Sequence, residues 1–198
     1  MGKNYSSFKK ENYYGQRAES FVFDLYQHFG INMRFNKTKA IEHSEKVKAL
    51  RGHDLEVIKP SEKPLKLEIK YDRNTRDTGN LAIEYAHNGN YSGISTTESP
   101  CWIYVSSECM YILDIEKLKL FLYNPENSDK WRYMKTDNHY MSNCCLVKHE
   151  LLSELGICTA SLSYERLDDF NMNVTMGEIT HKIKLYHTNL YEKFLSQN

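Results

Sequence analysis

Hydrophobic residues recur at two different spacings along the first half of the chain. Between residues 13 and 29 they lie three or four positions apart, as on one face of an α-helix, and Gly30 follows as a typical helix end. The apolar positions of this segment are Ala18, Phe21, Val22, Leu25 and Tyr26. From residue 53 to residue 72 apolar and polar residues alternate instead, which is the period of a half-buried strand. The pattern therefore predicts an amphipathic helix followed by β-strands.

The alternating stretch is interrupted once, by the turn sequence PSEKP, and so predicts a β-hairpin. Its second strand, LKLEIKYD, carries an apolar set made up of Leu65, Leu67, Ile69 and Tyr71. Because side chains two apart in a strand point the same way, Glu68 and Lys70 share the opposite face. Asp54 lies at the start of the first strand. The hairpin is thus expected to bring two acids and a lysine together.

Shorter stretches predict the remaining elements. Strands are indicated by INMRFNKT, NLAIEYA, CWIYVSS and MYILDI, with short helices after SGIS and after Ile115. The lysine-rich segment 39–52 fits either a loop or a solvated helix. Beyond about residue 124 the periodicity is lost, apart from a strand end with a helical turn in LVKHELLSELG and a C-terminal helix from residue 177. The predicted order is a helix, three or four strands, a short helix and two strands.

Asp54, Glu68 and Lys70 are residue types that phosphodiester hydrolysis uses. The reaction needs a divalent cation, an activated water and help for the leaving oxygen. Mg²⁺ takes one or two protein carboxylates and completes its coordination with water and phosphate oxygens, a role that Asp54 and Glu68 would fill. Lys70 would orient the water or stabilise the developing charge. The competing interpretation is a hairpin whose charges are merely solvated.

The spacing of Asp54, thirteen intervening residues and then Glu68-Ile69-Lys70 resembles the PD-(D/E)XK nuclease superfamily, also called restriction endonuclease-like. The order of elements over about residues 12–115 is similar too, with features that look like phage and mobile-element members. The resemblance implies an α/β fold with an αβββαβ core, in which helices flank a mixed central sheet. We therefore expect one domain, with its core in about residues 12–123 and a C-terminal extension in about residues 124–198.

The resemblance also implies an activity and a site. The activity is Mg²⁺-dependent hydrolysis of DNA, with Mn²⁺ expected to substitute. Lys70 would be the catalytic lysine, acting with Asp54 and Glu68. The implied metal ligands are Glu19 of the first helix, Asp54, Glu68 and the carbonyl of Ile69. One departure is His53, which stands where the family motif has Pro.

Residues around the motif offer further candidates. Arg73 and Arg76 would meet the phosphates of bound DNA, or would simply belong to a polar turn. Glu84 would line the same cleft, or would be a charge on an edge strand, which we favour. A zinc site is disfavoured by the ligand spacing, and a Cys-His nucleophile pair stays open. A basic and aromatic cluster would grip nucleic acid or form an ordinary surface loop; it comprises Trp131, Arg132, Tyr133 and Lys135.

Composition narrows the class of protein. The 26 basic and 26 acidic residues balance, so no global field draws the protein to polyanions. Five cysteines without a CxxC motif or signal peptide indicate reduced thiols and a cytoplasmic, intracellular location. No apolar run is long enough to cross a membrane.

These observations predict a DNA nuclease whose subtype stays open. A restriction enzyme, a junction resolvase and a recombination exonuclease would all use this site, and neutral charge mildly disfavours the resolvase. DNA is the expected partner, and a symmetric homodimer would serve an enzyme that cuts two strands. The alternatives are a noncatalytic DNA-binding or interaction protein on the same fold, and metal-independent RNA cleavage.

Overall fold

Helix α1 (Asn4–His28) opens the fold in the computed structural model, which describes residues 4–36, 53–58, 60–72, 74–106, 109–135 and 142–163. The five predicted apolar positions of α1 are all buried, and Gly30 (φ 68°) ends the helix in the left-handed conformation. The helix begins about nine residues earlier than the predicted start at residue 13. Apolar periodicity does not reveal this first part because it is polar, although Lys and Glu have good helix propensity.

A six-stranded mixed sheet follows, with strand order β1-β2-β3-β6-β7-β10. Its strands are β1 (Met33–Phe35), β2 (Leu55–Val57), β3 (Leu65–Tyr71), β6 (Cys101–Val105), β7 (Cys109–Asp114) and β10 (Cys158–Ser163). The predicted hairpin is confirmed, with Leu55 paired to Leu67. β3 and β6 run parallel, while every other pair in this sheet is antiparallel.

A second, antiparallel sheet has the order β5-β4-β9-β8. Its strands are β4 (Asn80–His87), β5 (Asn90–Tyr91), β8 (Arg132–Lys135) and β9 (Ser142–Lys148). The strand predicted in NLAIEYA is confirmed as β4, but it joins this sheet, which the sequence did not predict. Residues beyond 124 supply strands to both sheets, since β8 and β9 lie here and β10 pairs with β7.

Short helices connect the strands. They are α2 (Thr75–Thr78), α3 (Ile115–Tyr123), α4 (His149–Glu154) and the 3-10 turns Gly93–Ser95 and Pro125–Asn127. The predicted short helices after β7 and in HELLSELG correspond to α3 and α4, whereas the one predicted after SGIS is absent from residues 96–100 and a 3-10 turn lies within SGIS instead. Asp114 caps α3, because its carboxylate accepts a hydrogen bond from the Lys117 amide. None of the described helices is long and apolar enough to cross a membrane.

Two buried clusters lie on opposite faces of β3 and β6. One joins α1 to the apolar set of β3, and the ring of Tyr14 stacks on that of Tyr71 at 5.5 Å between centroids. The other contains Trp102, Tyr104 and Tyr111, together with apolar residues of β4, β9 and α3. The described residues therefore form a mixed α/β structure with a mostly β-sheet core. The lysine-rich segment 39–52 and the C-terminal helix predicted from residue 177 lie outside the described residues.

Candidate functional site

Asp54 occupies a sharp bend just before β2, where the regular pairing of β2 with β3 ends. Its amide donates to the Leu67 carbonyl at 2.8 Å, and its own carbonyl accepts from the Asn36 amide at 3.0 Å. Beyond this point the side chain of Asp54 takes the place of a backbone carbonyl as the acceptor for β3. Its Oδ2 accepts a hydrogen bond from the Ile69 amide at 2.6 Å. Asp54 is only 3% exposed. The hairpin thus holds a buried carboxylate against the backbone of β3 at Ile69, the residue between Glu68 and Lys70 in the sequence.

Glu68 and Lys70 emerge together on the face of β3 opposite the apolar set, as predicted. Lys70 Nζ donates to Glu68 Oε1 at 2.6 Å and lies 5.1 Å from the centroid of the Trp102 ring. The side chain of Glu68 is 15% exposed and that of Lys70 is 33% exposed. A carboxylate on one side and an aromatic face on the other therefore hold the ammonium in place, both interactions that favour a cation. The sequence did not indicate this contact with Trp102.

The donor set fits a hard cation such as Mg²⁺ with few protein ligands. Asp54 and Glu68 supply carboxylate oxygens from adjacent positions of one hairpin, and Mg²⁺ commonly takes one or two carboxylates. Among the residues that the structure describes, no group of three or more His, Cys, Asp or Glu side chains is arranged to hold a metal. Glu19 lies on α1, which packs on the other face of β3. Its part in a ligand set, like that of the Ile69 carbonyl, stays a prediction.

His53, the departure from the family motif, belongs to a polar cluster beside the site. Its Nε2 lies 2.6 Å from Oε1 of Glu56, and the other oxygen of Glu56 accepts a hydrogen bond from Arg34 on β1. Burial raises the pKa of Glu56, but the hydrogen bonds from Arg34 and His53 outweigh it, and the net pKa is lowered. The cluster joins β1, β2 and the bend that positions Asp54, a link that the sequence did not reveal.

The lowered pKa of Glu56 predicts acid sensitivity. A depressed folded pKa contributes stability above the unfolded value near 4.5, and this stability is lost as pH falls through the folded pKa. We expect Glu56→Gln to lower the free energy of unfolding at pH 7 by about 1 kcal/mol and by less at pH 3. Urea unfolding at both values measures this. Glu98→Gln, which alters an exposed carboxylate bonded to Lys66, is the control; an equal loss at pH 3 and pH 7 for Glu56→Gln would contradict the assignment.

Asp72 continues the polar face of β3 and links the two sheets. Its Oδ2 accepts from the Ala82 amide of β4 at 3.3 Å, while the Tyr104 hydroxyl donates to the Ala82 carbonyl at 2.9 Å. Burial, and after it the charge of Asp72, raise the pKa of Tyr104 well above its usual value, with smaller contributions from Glu84 and Glu68. Acidic side chains of both sheets therefore surround this phenol. The sequence did not single out Asp72.

Glu84 is placed by a hydrogen-bond network in the second sheet. It accepts from the hydroxyls of Ser92 at 2.8 Å and Ser142 at 2.7 Å, and Ser142 also contacts Nδ1 of His87 at 3.0 Å. At Glu84, β4 pairs with β9, while β5 pairs with β4 only at Ala86 and His87, so both interpretations of Glu84, as a cleft residue or an edge-strand charge, stay predictions. Of the two arginines, Arg73 lies outside the described residues, and for Arg76 the structure describes only its backbone in α2.

The cysteines of β9 are poor nucleophiles. Burial, followed by the charge of Glu84, raises the pKa of Cys144 to about 12, and burial raises that of Cys145 to about 11. At pH 8 we expect the thiolate fraction of Cys144 to be about a thousandfold below that of an ordinary cysteine, and its alkylation to be correspondingly slow. Iodoacetamide labelling read by peptide mass spectrometry, with urea-unfolded protein as the control, measures the rate. Rapid labelling of Cys144 in the folded protein would contradict this expectation and favour a nucleophilic cysteine.

Comparisons with known proteins add no family assignment. No family model matches the chain, and no curated protein or solved structure matches it either. The geometry of the hairpin is therefore what points to a function.

Proposed function

We propose that this protein is a Mg²⁺-dependent deoxyribonuclease with a restriction endonuclease-like core. The observation that carries the proposal is the bond from the Ile69 amide to the Asp54 carboxylate, which anchors that carboxylate at the residue between Glu68 and Lys70 in the sequence. Bound Mg²⁺, or Mn²⁺ in its place, would neutralise phosphate charge and acidify a coordinated water. Asp54 and Glu68 would hold the ion.

Lys70 would contribute a fixed positive charge beside the scissile phosphate. Its ammonium already lies against Glu68 and the Trp102 ring, so little reorganisation is needed to orient a water or to stabilise the charge that develops on oxygen. The side chain of Lys70 is one-third exposed, which leaves the ammonium within reach of a substrate, whereas the Asp54 carboxylate is shielded from solvent. Shielding strengthens the electrostatic interactions of the site.

The order of strands supports the proposed core. Helix α1 precedes three successive antiparallel strands, and β6 then lies parallel to β3. A parallel pair of this kind needs a crossover connection between the two strands. The crossover departs from the αβββαβ pattern, because it carries α2, β4, β5 and a 3-10 turn where the family has one helix.

A symmetric homodimer, with one site for each DNA strand, is part of the proposal.

The direct test is cleavage of plasmid, linear and branched DNA with Mg²⁺ or Mn²⁺, compared with EDTA. We expect metal-dependent cleavage by the wild type, with Asp54→Ala and Lys70→Ala slower by about 100-fold or more. Lys66→Ala is the matched control, because Lys66 lies on the same strand but pairs with Glu98 at the surface. Metal-dependent cleavage that persists in both site variants would contradict the assignment. Absence of cleavage by the wild type would instead favour the noncatalytic DNA-binding protein.

A further inference from the structure

Strand β8 presents an exposed basic and aromatic surface at one edge of the second sheet. We call it the β8 patch; it consists of Arg132, Tyr133 and Lys135. All three side chains are exposed, and Tyr133 is 56% exposed. Among the described strands, β8 pairs only with β9. The proposed cleavage site lies in the other sheet, so the proposed chemistry does not use this patch.

Tyr133 is held in place although it is exposed. Its hydroxyl donates to Oδ1 of Asn143 at 3.0 Å, and its ring centroid lies 6.4 Å from that of Tyr85 on β4. Trp131, just before β8, packs against the second buried cluster and anchors the start of the strand. A ring fixed at its hydroxyl and supported by a neighbour loses little freedom when a flat ligand stacks on it. Tyr133 is thus a preorganised stacking platform.

One exposed cation lies on each face of β8. Side chains alternate along a strand, so Lys135 points to the same side as Tyr133 and Arg132 to the other. Between residues 130 and 135 the chain has three basic residues and no acidic one, although its overall charge is zero. Charged edge residues also discourage strand pairing, which makes an added β-strand a poor occupant. Because β8 is an edge strand among the described strands, a nucleic-acid strand that runs along this edge can reach both faces, where an exposed ring and nearby cations are complementary to a stacked base with flanking phosphates.

We propose that the β8 patch binds single-stranded DNA, with a base stacked on Tyr133 and phosphates beside Arg132 and Lys135. A duplex hides the faces of its bases, whereas a single strand exposes them to an aromatic side chain. The strand held here would belong to the substrate of the proposed nuclease, and to that extent the inference rests on the proposed function. Binding itself needs neither metal nor cleavage, so the two are tested separately.

The stacking role is tested by fluorescence anisotropy with the full chain, EDTA and a labelled oligothymidylate of about 16 nucleotides. We expect Tyr133→Leu to weaken binding by about fivefold or more. Tyr91→Leu is the matched control, because Tyr91 is 80% exposed on β5, at the opposite edge of the same sheet. Circular dichroism checks that both variants are folded. Equal weakening by the two substitutions, or an unlabelled duplex that competes as well as the single strand, would overturn the proposal.

The cationic role is tested by the salt dependence of the same binding. We expect Arg132→Gln with Lys135→Gln to reduce the slope of log K against log salt by about 1.4, since each phosphate contact on a single strand contributes about 0.7. Arg132→Lys with Lys135→Arg should keep the slope. An unchanged slope in the neutral variant, or no binding by the wild type, would refute the patch. Binding is measured in EDTA and cleavage needs metal, so a failure of cleavage and a failure of binding are distinguishable.

Discussion

Replacing Asp54 by Asn is expected to abolish metal-dependent cleavage while leaving the fold intact. An Asn side chain is almost isosteric, and its carbonyl oxygen can still accept the hydrogen bond from the Ile69 amide. What is lost is the negative charge that a divalent cation requires. We expect the cleavage rate at fixed Mg²⁺ to fall by about 100-fold or more, with partial recovery at higher metal concentration. Rates measured across a Mg²⁺ titration separate weaker metal binding from a slower chemical step.

Glu56→Gln is the matched control for this substitution. It makes the same carboxylate-to-amide change two residues away, in the polar cluster with Arg34 and His53, where the carboxylate already accepts hydrogen bonds from both. We expect its cleavage rate to stay within a few-fold of the wild type under conditions where both are folded. A comparable loss in Glu56→Gln would mean that the bend, and not the charge of Asp54, carries the effect.

Gly93→Ala is expected to cause the largest loss of stability. A Cβ added at Gly93 would lie 2.2 Å from the carbonyl oxygen of Glu84, and the backbone there is left-handed, with φ 53°. Because the clash is with backbone of β4, no side chain can rotate to relieve it. We expect the free energy of unfolding to fall by more than about 2 kcal/mol.

Thermal or urea unfolding of Gly93→Ala measures the loss. Gly89→Ala is the matched control, since Gly89 also has a positive φ, of 78°, but a Cβ there would meet nothing within 4 Å. It should therefore lose less, through backbone strain alone. Equal losses for the two variants would show that the close approach of the 3-10 turn to β4 is unimportant.

Local periodicity predicted the hairpin and the site residues on it. Apolar and polar residues alternate in β3 because only one face of this strand is fully buried. The placement of Glu68 and Lys70 opposite Leu67 and Ile69 therefore follows from the sequence. The end of α1 was predicted for a similar reason, because Gly30 is suited to its left-handed conformation. These features are encoded within a few residues of where they appear.

The second sheet was missed because its signals are not local. In β9 the neighbouring Cys144 and Cys145 are both buried, on opposite faces, so apolar and polar residues do not alternate there. Its partner β4 lies more than fifty residues away in the chain, and Glu84 meets Cys144 only through that pairing. A strand that is buried on both faces lacks the alternation of apolar and polar residues, so that alternation does not reveal it in the sequence.

The environment of the site was missed for the same reason. Arg34 reaches Glu56 only because β1 pairs with β2, and Lys70 reaches the Trp102 ring only because β3 runs beside β6. Neither contact has a signature in the spacing of residues. The charged side chains of the hairpin are therefore predictable from the sequence. The residues that position them are brought beside them only by strand pairing.

The amide resonance of Ile69 reports whether Asp54 and Glu68 bind one metal ion. Its hydrogen bond to the Asp54 carboxylate makes it a reporter for any ion bound by Asp54 and Glu68. In a Mg²⁺ titration followed by ¹⁵N NMR, we expect the Ile69 resonance to shift saturably, together with that of Glu68, and the shift to disappear in Asp54→Asn. An Ile69 resonance that stays unmoved in the wild type while Mg²⁺ shifts residues elsewhere would contradict the account.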